Sequence, residues 1–466
     1  MQLHRHATGL RPLARAAMLV LSLLASGSWL TAEAHGQASP SDLSARLQPP
    51  PAAVQPPGQV APPRETQPPR VAPRPRSAPG EENLLGAGAA PYVFGSFLAA
   101  SRGTTFARTP EMFGDSFYSL ATITTTESLT GGGSMTLVSG VPLSGGARRT
   151  LIAEHNKALP TDRAYFNFNS FHNAVRSRVS GVTGAGMPIG PFVAARKSSV
   201  ERYLLGIEKT YFDGLGSVEM RMPISGQYNF AFDTGAPIVP ETASVTGGDI
   251  GNLSLIFKTA LYNDSATVVS AGLGVDIPTG DDATVILALT QYELKNEAVH
   301  LSPFLAVMRN PNDLFFWHMF AQLDVAANGD RFSFRSRPPD VASTGELGKF
   351  TDQTLFHLDV GSGVWLMRQP EAPILTGVAA ITEIHYTDTF QKTDSLVAAR
   401  PTLFPGGATV DLRNPANWMN VVNFTTGLHF ELFDHSTLRI AGAVPLTQLD
   451  DRFFDSELLV QFGQRY

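Results

Sequence analysis

Four histidines lie on the polar side of runs in which apolar and polar residues alternate, and each has a carboxylate close by in the chain. These residues are His318, His357, His385 and His429, with Asp324, Asp359, Glu383 and Glu431. Imidazole and carboxylate groups are suitable metal ligands. No two of the histidines have the short spacing of a metal-binding motif. The pattern therefore favours solvated or hydrogen-bonded side chains, and we expect no metal or other cofactor.

A second group of residues has a spacing that suits nucleophilic catalysis. His300 and Ser302 would share one face of a strand, and Asn310 follows. This arrangement is similar to that of outer-membrane phospholipase A, in which a histidine oriented by asparagine activates a serine. Pro303 follows the serine directly, Asn310 lies in a predicted turn, and His-x-Ser is a common chance pattern. We therefore keep a lipid hydrolase as the lesser alternative and predict a protein that is not an enzyme.

Composition excludes several other kinds of site. The chain has 466 residues, a formal net charge of -6 and no cysteine. With a pI near 6.0 it lacks the basic face of a nucleic-acid-binding protein, so we expect no nucleic-acid partner. The absence of cysteine excludes disulfides, thiolate metal sites, thiol catalysis and a lipid-modified N-terminal cysteine. The run GGG at 131–133 lacks the strand and helix flanks of a phosphate-binding loop.

The N-terminus has the three parts of a secretory signal peptide. Basic residues precede an apolar stretch over residues 16–30, and Ala-Glu-Ala at 32–34 offers a small-residue cleavage site. An apolar stretch of about 15 residues is shorter than the ~20 that a transmembrane helix needs. We therefore predict that residues 1–34 are a cleaved signal peptide and that the mature chain is exported.

Two segments of unusual composition follow. Residues 35–80 contain repeated proline pairs and no apolar periodicity, which predicts a disordered, extended periplasmic linker. This linker is either a simple tether or a contact for a periplasmic or cell-wall partner. Residues 81–160 are rich in Gly, Ser, Thr and Ala and too weakly hydrophobic for an independent domain. We predict that they form a plug-like segment packed against a larger structure.

From residue 161 to residue 466 the sequence becomes a succession of alternating runs separated by loops with Gly, Asp, Asn and Pro. In LFFWHMFAQLDV, the apolar side chains at every second position from Phe315 to Val325 lie opposite His318, Gln322 and Asp324. The runs VNFTTGLHFEL and NLSLIFKTAL repeat this arrangement. We count about 12 candidate strands, within a range of roughly 10 to 14.

Three features favour a membrane barrel over a soluble β-sandwich. The strands approach the ~9 to 11 residues that a tilted membrane strand requires. The apolar faces carry aromatic residues and Met near strand ends, as an aromatic girdle would. Unlike charges lie close together on the polar faces, which suits a wet lumen. We therefore predict an all-β fold: a transmembrane antiparallel β-barrel over residues 161–466, with an N-terminal plug-like segment.

The cost of charge in lipid sets the orientation of the strands. A Lys or Arg on the lipid face at the midplane costs roughly 2 to 4 kcal/mol, so Arg221, Lys258 and Arg439 should point inward. Lys209, which shares an apolar face, fits only near an interface. The residues predicted to line the lumen are Glu219, Arg221, Lys258, His318, Asp324, His357, Asp359, Glu383, His385, His429, Glu431 and Arg439.

The chain ends on an alternating run, DSELLVQFGQRY, with no polar tail beyond it. The apolar side of this run consists of Leu458, Val460, Phe462 and Tyr466. Closure of a barrel requires the last strand to pair with the first. The run resembles the last strand of bacterial outer-membrane barrel proteins, which typically ends in Phe or Tyr and serves as the assembly signal. The resemblance implies an outer-membrane location, contact with its lipids, and recognition by the barrel-assembly machinery.

A second resemblance covers GDIGNLSLIFKTALYND and VSAGLGVDIPTGDD. The matching positions are Gly248, Asp249, Lys258, Pro278, Thr279 and Gly280. These stretches are similar to a strand, turn and strand of outer-membrane channels of the phenol meta-pathway and fatty-acid transporter type. The resemblance implies a barrel of 12 to 14 strands that imports small, often hydrophobic molecules past an N-terminal plug.

These observations predict an outer-membrane channel that passes small solutes through a polar-lined, partly plugged barrel. The alternative is a structural barrel that serves as a surface anchor without transport.

Overall fold

The computed structural model describes only part of the chain. The described residues are 104–114, 120–128, 134–142, 149–182, 194–225, 228–231, 244–247, 250–287, 290–336, 344–391, 394–400, 408–413, 420–447 and 452–466. The predicted signal peptide and Pro-rich linker fall outside them. Within the described residues, no helix is long and apolar enough to cross a membrane.

Strands dominate the described residues, and the helical content is one short α-helix, α1 (Thr104–Ala107), and a 3-10 turn at Phe212–Gly214. The strands are β1 (Leu120–Ser128), β2 (Ser134–Pro142), β3 (Arg163–Val182), β4 (Ala194–Tyr211), β5 (Gly216–Ser225), β6 (Tyr228–Ala231), β7 (Ser244–Gly247), β8 (Leu253–Asn263), β9 (Thr267–Ile277), β10 (Ala283–Leu287), β11 (Thr290–Leu294), β12 (His300–Arg309), β13 (Phe315–Ala326), β14 (Asp330–Ser336), β15 (Thr344–Phe350), β16 (Leu355–Arg368), β17 (Leu375–Thr389), β18 (Leu396–Arg400), β19 (Ala408–Arg413), β20 (Asn420–Leu432), β21 (Ser436–Pro445) and β22 (Ser456–Arg465).

Twelve of these strands close into an antiparallel barrel. Their order around the ring is β3, β22, β21, β20, β17, β16, β13, β12, β9, β8, β5 and β4, and β4 pairs again with β3. The last strand, β22, lies between β21 and β3, with Phe462 opposite Phe166 and Leu458 opposite Ser170. The prediction of a barrel with about twelve strands is confirmed, because every barrel strand has two hydrogen-bonded neighbours and no edge is left.

Alternation along each strand separates an apolar outer face from a polar inner face. On the outer face, Leu305 is 53% exposed, and Leu205, Met220 and Ile384 are similarly open. On β12 and β13, the residues between these positions are buried inside the barrel. Since large apolar side chains rarely cover a water-exposed sheet in a contiguous band, this belt is the lipid-facing surface of a transmembrane barrel.

The two ends of the barrel differ in their connections. At one end, β8 and β9, and likewise β20 and β21, are joined by three-residue turns. Side chains accept backbone hydrogen bonds in two of the turns. The Asp264 carboxylate accepts from the N–H groups of Ala266 and Thr267. The side-chain oxygen of Asn312 accepts from the N–H groups of Leu314 and Phe315. We call this the short-turn end. In outer-membrane barrels the short turns are periplasmic.

At the opposite, long-loop end, the connections carry sheets of their own. Strands β2, β1, β19 and β18 extend the sheet from the far end of β3, and β15, β14, β11, β10, β7 and β6 form a separate sheet. A buried apolar cluster, which includes Ile123, Val285, Phe332 and Val410, joins these sheets to residues at the ends of the barrel strands. The prediction of one plug-like segment over 81–160 did not anticipate this arrangement. Residues 120–128 and 134–142 pair as the hairpin β1–β2, and these strands also pair with β19 and β3 at the long-loop end.

Candidate functional site

The interior of the barrel is occupied by two pieces of the N-terminal region. Lumen segment 1 comprises residues 106–114, and lumen segment 2 comprises residues 149–160. Every residue of segment 2 is buried, and Met112 and Phe113 of segment 1 have no exposed surface. The two segments run antiparallel and contact each other through the backbone: the Met112 N–H donates to the Asn156 carbonyl at 2.9 Å, and the His155 N–H donates to the Phe113 carbonyl at 3.3 Å.

The path of the chain follows from the anchors of each segment. Segment 1 begins at the short-turn end, where Arg465 donates to the Ala107 carbonyl at 2.6 Å. The hairpin β1–β2 then lies at the long-loop end. Segment 2 starts there, with Arg149 beside Asp324, and returns to the short-turn end, where Arg163 begins β3. Segment 1 therefore enters the lumen from the short-turn end, and segment 2 crosses it from the long-loop end before the chain forms the barrel wall.

The wall holds segment 1 through side chains that bond its backbone. The two carboxylate oxygens of Glu383 accept hydrogen bonds from the backbone N–H of Phe113, at 2.7 Å, and of Gly114, at 2.9 Å. The Gln461 amide donates to the Phe113 carbonyl at 2.8 Å. Arg439 donates to the carbonyls of Met112 and Glu111, and its guanidinium lies 4.4 Å from the centre of the Phe113 ring.

Segment 2 is held in the same manner. The Gln322 side chain accepts from the Ile152 N–H at 2.9 Å and donates to the Thr150 carbonyl at 2.8 Å, as a neighbouring strand would. Arg221 donates to the carbonyls of Leu151, at 2.8 Å, and Ile152, at 3.3 Å. Backbone groups that a β-sheet would pair are thus satisfied by side chains of the wall.

Buried charges on β3, β4, β5 and β8 are paired with one another or with the lumen segments. Glu208 contacts both Arg163, at 2.6 Å, and Lys258, at 2.9 Å. Glu219 contacts Arg221 at 2.8 Å, and the hydroxyl of Tyr165 donates to it. Glu154 of segment 2 lies 3.0 Å from Arg202, and Lys157 lies 3.2 Å from Glu111 of segment 1. Pairing is required here, because an isolated charge without water would carry a large desolvation cost.

Two histidines each lie between two carboxylates. His385 contacts Asp359 through Nδ1, at 2.8 Å, and Glu383 through Nε2, at 3.3 Å. His300 contacts Asp324 through Nδ1, at 3.0 Å, and Asp352 through Nε2, at 3.4 Å. Carboxylates of both trios also contact a lumen segment: Glu383 binds segment 1, and Asp324 and Asp352 lie 3.3 and 3.9 Å from Arg149 of segment 2. Within the described ranges, no group of three His, Asp or Glu side chains is arranged to hold a metal ion.

The twelve residues predicted to line the lumen are all buried at barrel-strand positions. Those that contact a lumen segment directly are Glu219, Arg221, Lys258, Asp324, Glu383 and Arg439. Asp359 and His385 lie one contact further away, His357 pairs with Thr387, and Glu431 pairs with Arg465. His318 and His429 lie against the aromatic rings of Phe316 and Trp365.

Several contacts to the lumen segments were missed by the sequence reasoning. They involve Asn167, Arg202, Gln322 and Gln461. The alternation did contain a signal. Arg202 lies opposite the apolar side that contains Leu205 and Ile207, and Gln322 shares the polar side of its run with His318. Sequence alone, however, does not show which polar residue of a wet face contacts another segment.

The hydrolase alternative is wrong, because its three residues do not meet. His300 and Ser302 point into the barrel and are buried. Asn310 follows the opposite end of β12, roughly 30 Å away along the strand, and its amide donates to Thr109 of segment 1 at 2.6 Å. His300 itself contacts the carboxylates of Asp324 and Asp352.

No protein-family model and no curated protein matches this chain. The solved structures that resemble it include outer-membrane channels. One from Pseudomonas putida F1 has 10% sequence identity and a TM-score of 0.40, and covers 66% of this chain and 97% of its own. The CymD monoaromatic hydrocarbon channel has 10% identity and a TM-score of 0.34, and the match covers 82% of this chain and 95% of CymD. A FadL homologue from Pseudomonas aeruginosa has 10% identity and a TM-score of 0.31, and the match covers 73% of this chain and 98% of the homologue.

Proposed function

We propose that this protein is an outer-membrane channel for small solutes, and that a solute passes when lumen segments 1 and 2 move. The observation that carries the proposal is the way the segments are held. Glu383, Arg439, Gln461, Gln322 and Arg221 bind them through side chains, whereas the wall is held by its own ladder of backbone hydrogen bonds. The segments can therefore leave their positions without opening the barrel.

The chemistry of the wall supports passage rather than a permanent seal. Once a segment moves, the carboxylates, guanidinium groups and amides that held it can be hydrated, so water supplies the hydrogen bonds that the segment had made. A structural core would instead be lined by apolar side chains, which gain nothing from water. The polar wall is thus compatible with both an occupied and a hydrated lumen.

The solute class that we propose is small and includes hydrophobic molecules. The resemblance of residues 248–280 to channels of the phenol meta-pathway and fatty-acid transporter type supports it. The lumen also contains an apolar cluster that includes Phe113, Phe316 and Trp365. Both signs of charge line the wall, so we expect no strong preference for anions over cations.

The remaining features of the chain fit export to an outer membrane. We propose that residues 1–34 direct export, that residues 35–80 remain periplasmic as a linker, and that Leu458, Val460, Phe462 and Tyr466 serve as the signal for the barrel-assembly machinery. In support, segment 1 enters the barrel at the short-turn end, and the Tyr466 N–H bonds the Asp162 carbonyl there, at 3.3 Å.

A cysteine tether tests the motion directly, because the native chain has no thiol. A Cβ at Gly361 would lie 3.1 Å from the terminal methyl of Met112, so Met112→Cys with Gly361→Cys places one thiol on segment 1 and one on the wall. In planar bilayers we expect the untethered double variant to conduct. A short bis-thiosulfonate reagent should abolish the current, and a reductant should restore it.

The matched control pair is Thr126→Cys with Thr136→Cys in the hairpin β1–β2. These residues are register partners whose hydroxyls lie 3.0 Å apart, and neither belongs to a lumen segment. Tethering them should leave the current unchanged. Equal currents before and after tethering of the lumen pair would contradict the proposal.

The surface-anchor alternative is favoured by one observation, the folded sheets and apolar cluster at the long-loop end. It predicts no conductance in any state. Deleting residues 81–160 separates the two functions: a channel should conduct more, and an anchor should still not conduct. Heat-modifiable migration of the deletion variant on a gel verifies that the barrel has folded.

A further inference from the structure

The outer surface of β3 and β4 carries a cluster of cations beyond the apolar belt. The cluster consists of Arg176, Lys197 and Arg452 around Asp455, with N–O distances to its carboxylate of 3.2, 3.7 and 3.1 Å. The side chains of the three cations are 40 to 55% exposed. Three positive charges thus share one described carboxylate at the surface.

The height of the cluster relative to the belt follows from the positions of residues along β4. The belt on this strand includes Leu205 and Ile207, and Leu205 lies midway between the exposed charged residues Glu201 and Lys209. Lys197 lies eight residues from Leu205 toward the long-loop end, which is roughly 26 Å along the strand and roughly 20 Å in height after tilt. The cluster therefore lies at the level of the headgroups of the outer leaflet.

The backbone is arranged to bring the cations together. A bulge lies between Phe171 and Val175 of β3, and Asn173 within it has a φ of 56°. Because the bulge adds two residues to β3, Arg176 comes directly opposite Lys197. Like charges that face each other across two strands destabilise a sheet unless an anion offsets them.

Asp455 supplies one anion and positions the cations. Its carboxylate accepts a hydrogen bond from the Asn173 amide at 2.7 Å, and its backbone N–H donates to the His172 carbonyl at 2.8 Å. The Asn173 hydrogen bond and the neighbouring cations hold the pKa of Asp455 below its usual range, so it stays charged at neutral pH. Positive charge remains in excess, and Arg178, exposed two residues beyond Arg176, adds to it. Asp450 and Asp451 lie outside the described residues.

We propose that Arg176, Lys197 and Arg452 form a binding site for the phosphate groups of the phosphorylated glycolipid of the outer leaflet. Guanidinium groups bind phosphate through two parallel hydrogen bonds, and an ammonium group adds a flexible third contact. The adjacent belt provides the apolar surface that the acyl chains of the same lipid require. The inference rests on the membrane placement of the barrel and not on transport.

Lipid binding to the full-length protein in detergent tests the site, with native mass spectrometry as the readout. The probes are a bisphosphorylated lipid A, the same lipid without phosphates, and inorganic phosphate as a competitor. We expect the bisphosphorylated lipid to bind at least tenfold more tightly than the dephosphorylated one. Equal affinity for both lipids would overturn the proposal. Complete displacement by low-millimolar inorganic phosphate would overturn it as well, because the site would then be specific for a soluble ion.

Two double variants, each with one Arg and one Lys changed to Gln, test whether the preference for the phosphorylated lipid depends on this cluster. Arg176→Gln with Lys197→Gln should remove the preference for the phosphorylated lipid. Lys295→Gln with Arg331→Gln, which changes exposed ion pairs near the long-loop end, should keep it. If the first variant shows no heat-modifiable shift, Lys197→Gln alone, at the most exposed cation, should still weaken binding severalfold. Unchanged binding by Lys197→Gln would then contradict the site. Currents measured in parallel report on the channel independently.

Discussion

Lumen segments 1 and 2 and the hairpin β1–β2 come from one stretch of chain, yet they are held in different ways. The hairpin pairs its backbone with β19 and β3 and buries Ile123 and Leu137 in the apolar cluster at the long-loop end. The lumen segments bond mainly to side chains of the wall. A ladder with an apolar core is lost only when the sheet opens, whereas hydrogen bonds to polar side chains can be exchanged for water. We therefore expect the lumen segments to move while the hairpin and the barrel wall stay in place.

The strongest test of the permanent part is a charge on the lipid-facing belt. Leu305→Arg places a guanidinium at an outer position that is 53% exposed, where we expect a loss of roughly 2 to 4 kcal/mol in the free energy of unfolding. Leu314→Arg, in the turn beyond the belt, should cost about 0 to 1 kcal/mol. Urea unfolding in lipid vesicles measures both. Equal losses would contradict the position of the belt.

A smaller effect is expected where segment 1 passes closest to segment 2. Gly114 has a φ of 69°, and a Cβ there would lie 2.3 Å from the Glu154 Cα. Gly114→Ala should therefore strain the occupied state by about 1 to 3 kcal/mol, which favours displacement of the segments by roughly 5- to 150-fold. The readout is open probability in planar bilayers.

Gly214→Ala is the control for this variant. Gly214 also has a positive φ, of 88°, but no atom lies within 4 Å of its Cβ position. It should lower stability slightly and leave open probability unchanged. If both variants open the channel equally, backbone strain rather than the contact between segments controls the current.

The smallest effect should come from weakening a single anchor. Glu383→Gln leaves one oxygen to accept from Phe113 or Gly114 and removes the negative charge, so we expect a loss of about 1 to 2 kcal/mol in the binding of segment 1. Asp359→Asn changes the other carboxylate beside His385, which has no direct bond to segment 1. Only the first variant should raise open probability. A matching rise with Asp359→Asn would show that His385 rather than Glu383 governs the anchor.

The barrel could be predicted from the sequence because one rule applies along every strand. Each apolar residue that faces lipid is favourable by itself, and each charge there is costly by itself, so period-two alternation predicts both the strands and their inner faces. Arg221, Lys258 and Arg439 are buried inside for this reason. The last strand was recognisable from its own side chains.

The contents of the lumen and the sheets at the long-loop end could not be predicted in this way. Met112 meets Asn156, and Ile123 meets Leu412, across separations in the chain that no local pattern reports. Gln322 and Gln461 have no sequence feature that distinguishes a segment anchor from a solvated amide. The position of His300 beside Asp324 and Asp352 likewise depends on the register of β12 and β13 and on a connection beyond them.

The central claim is that alternate residues face lipid on one side and the occupied lumen on the other, and two tryptophans test it. Trp317 lies on the outer face of β13, and Trp365 is buried inside beside His429. Variants in which one of these two residues is the sole tryptophan, with Trp29, Trp418 and the other one replaced by Phe, can be reconstituted with lipids brominated on the acyl chains. The account predicts strong quenching of Trp317 fluorescence and little quenching of Trp365. Equal quenching of the two residues would contradict it.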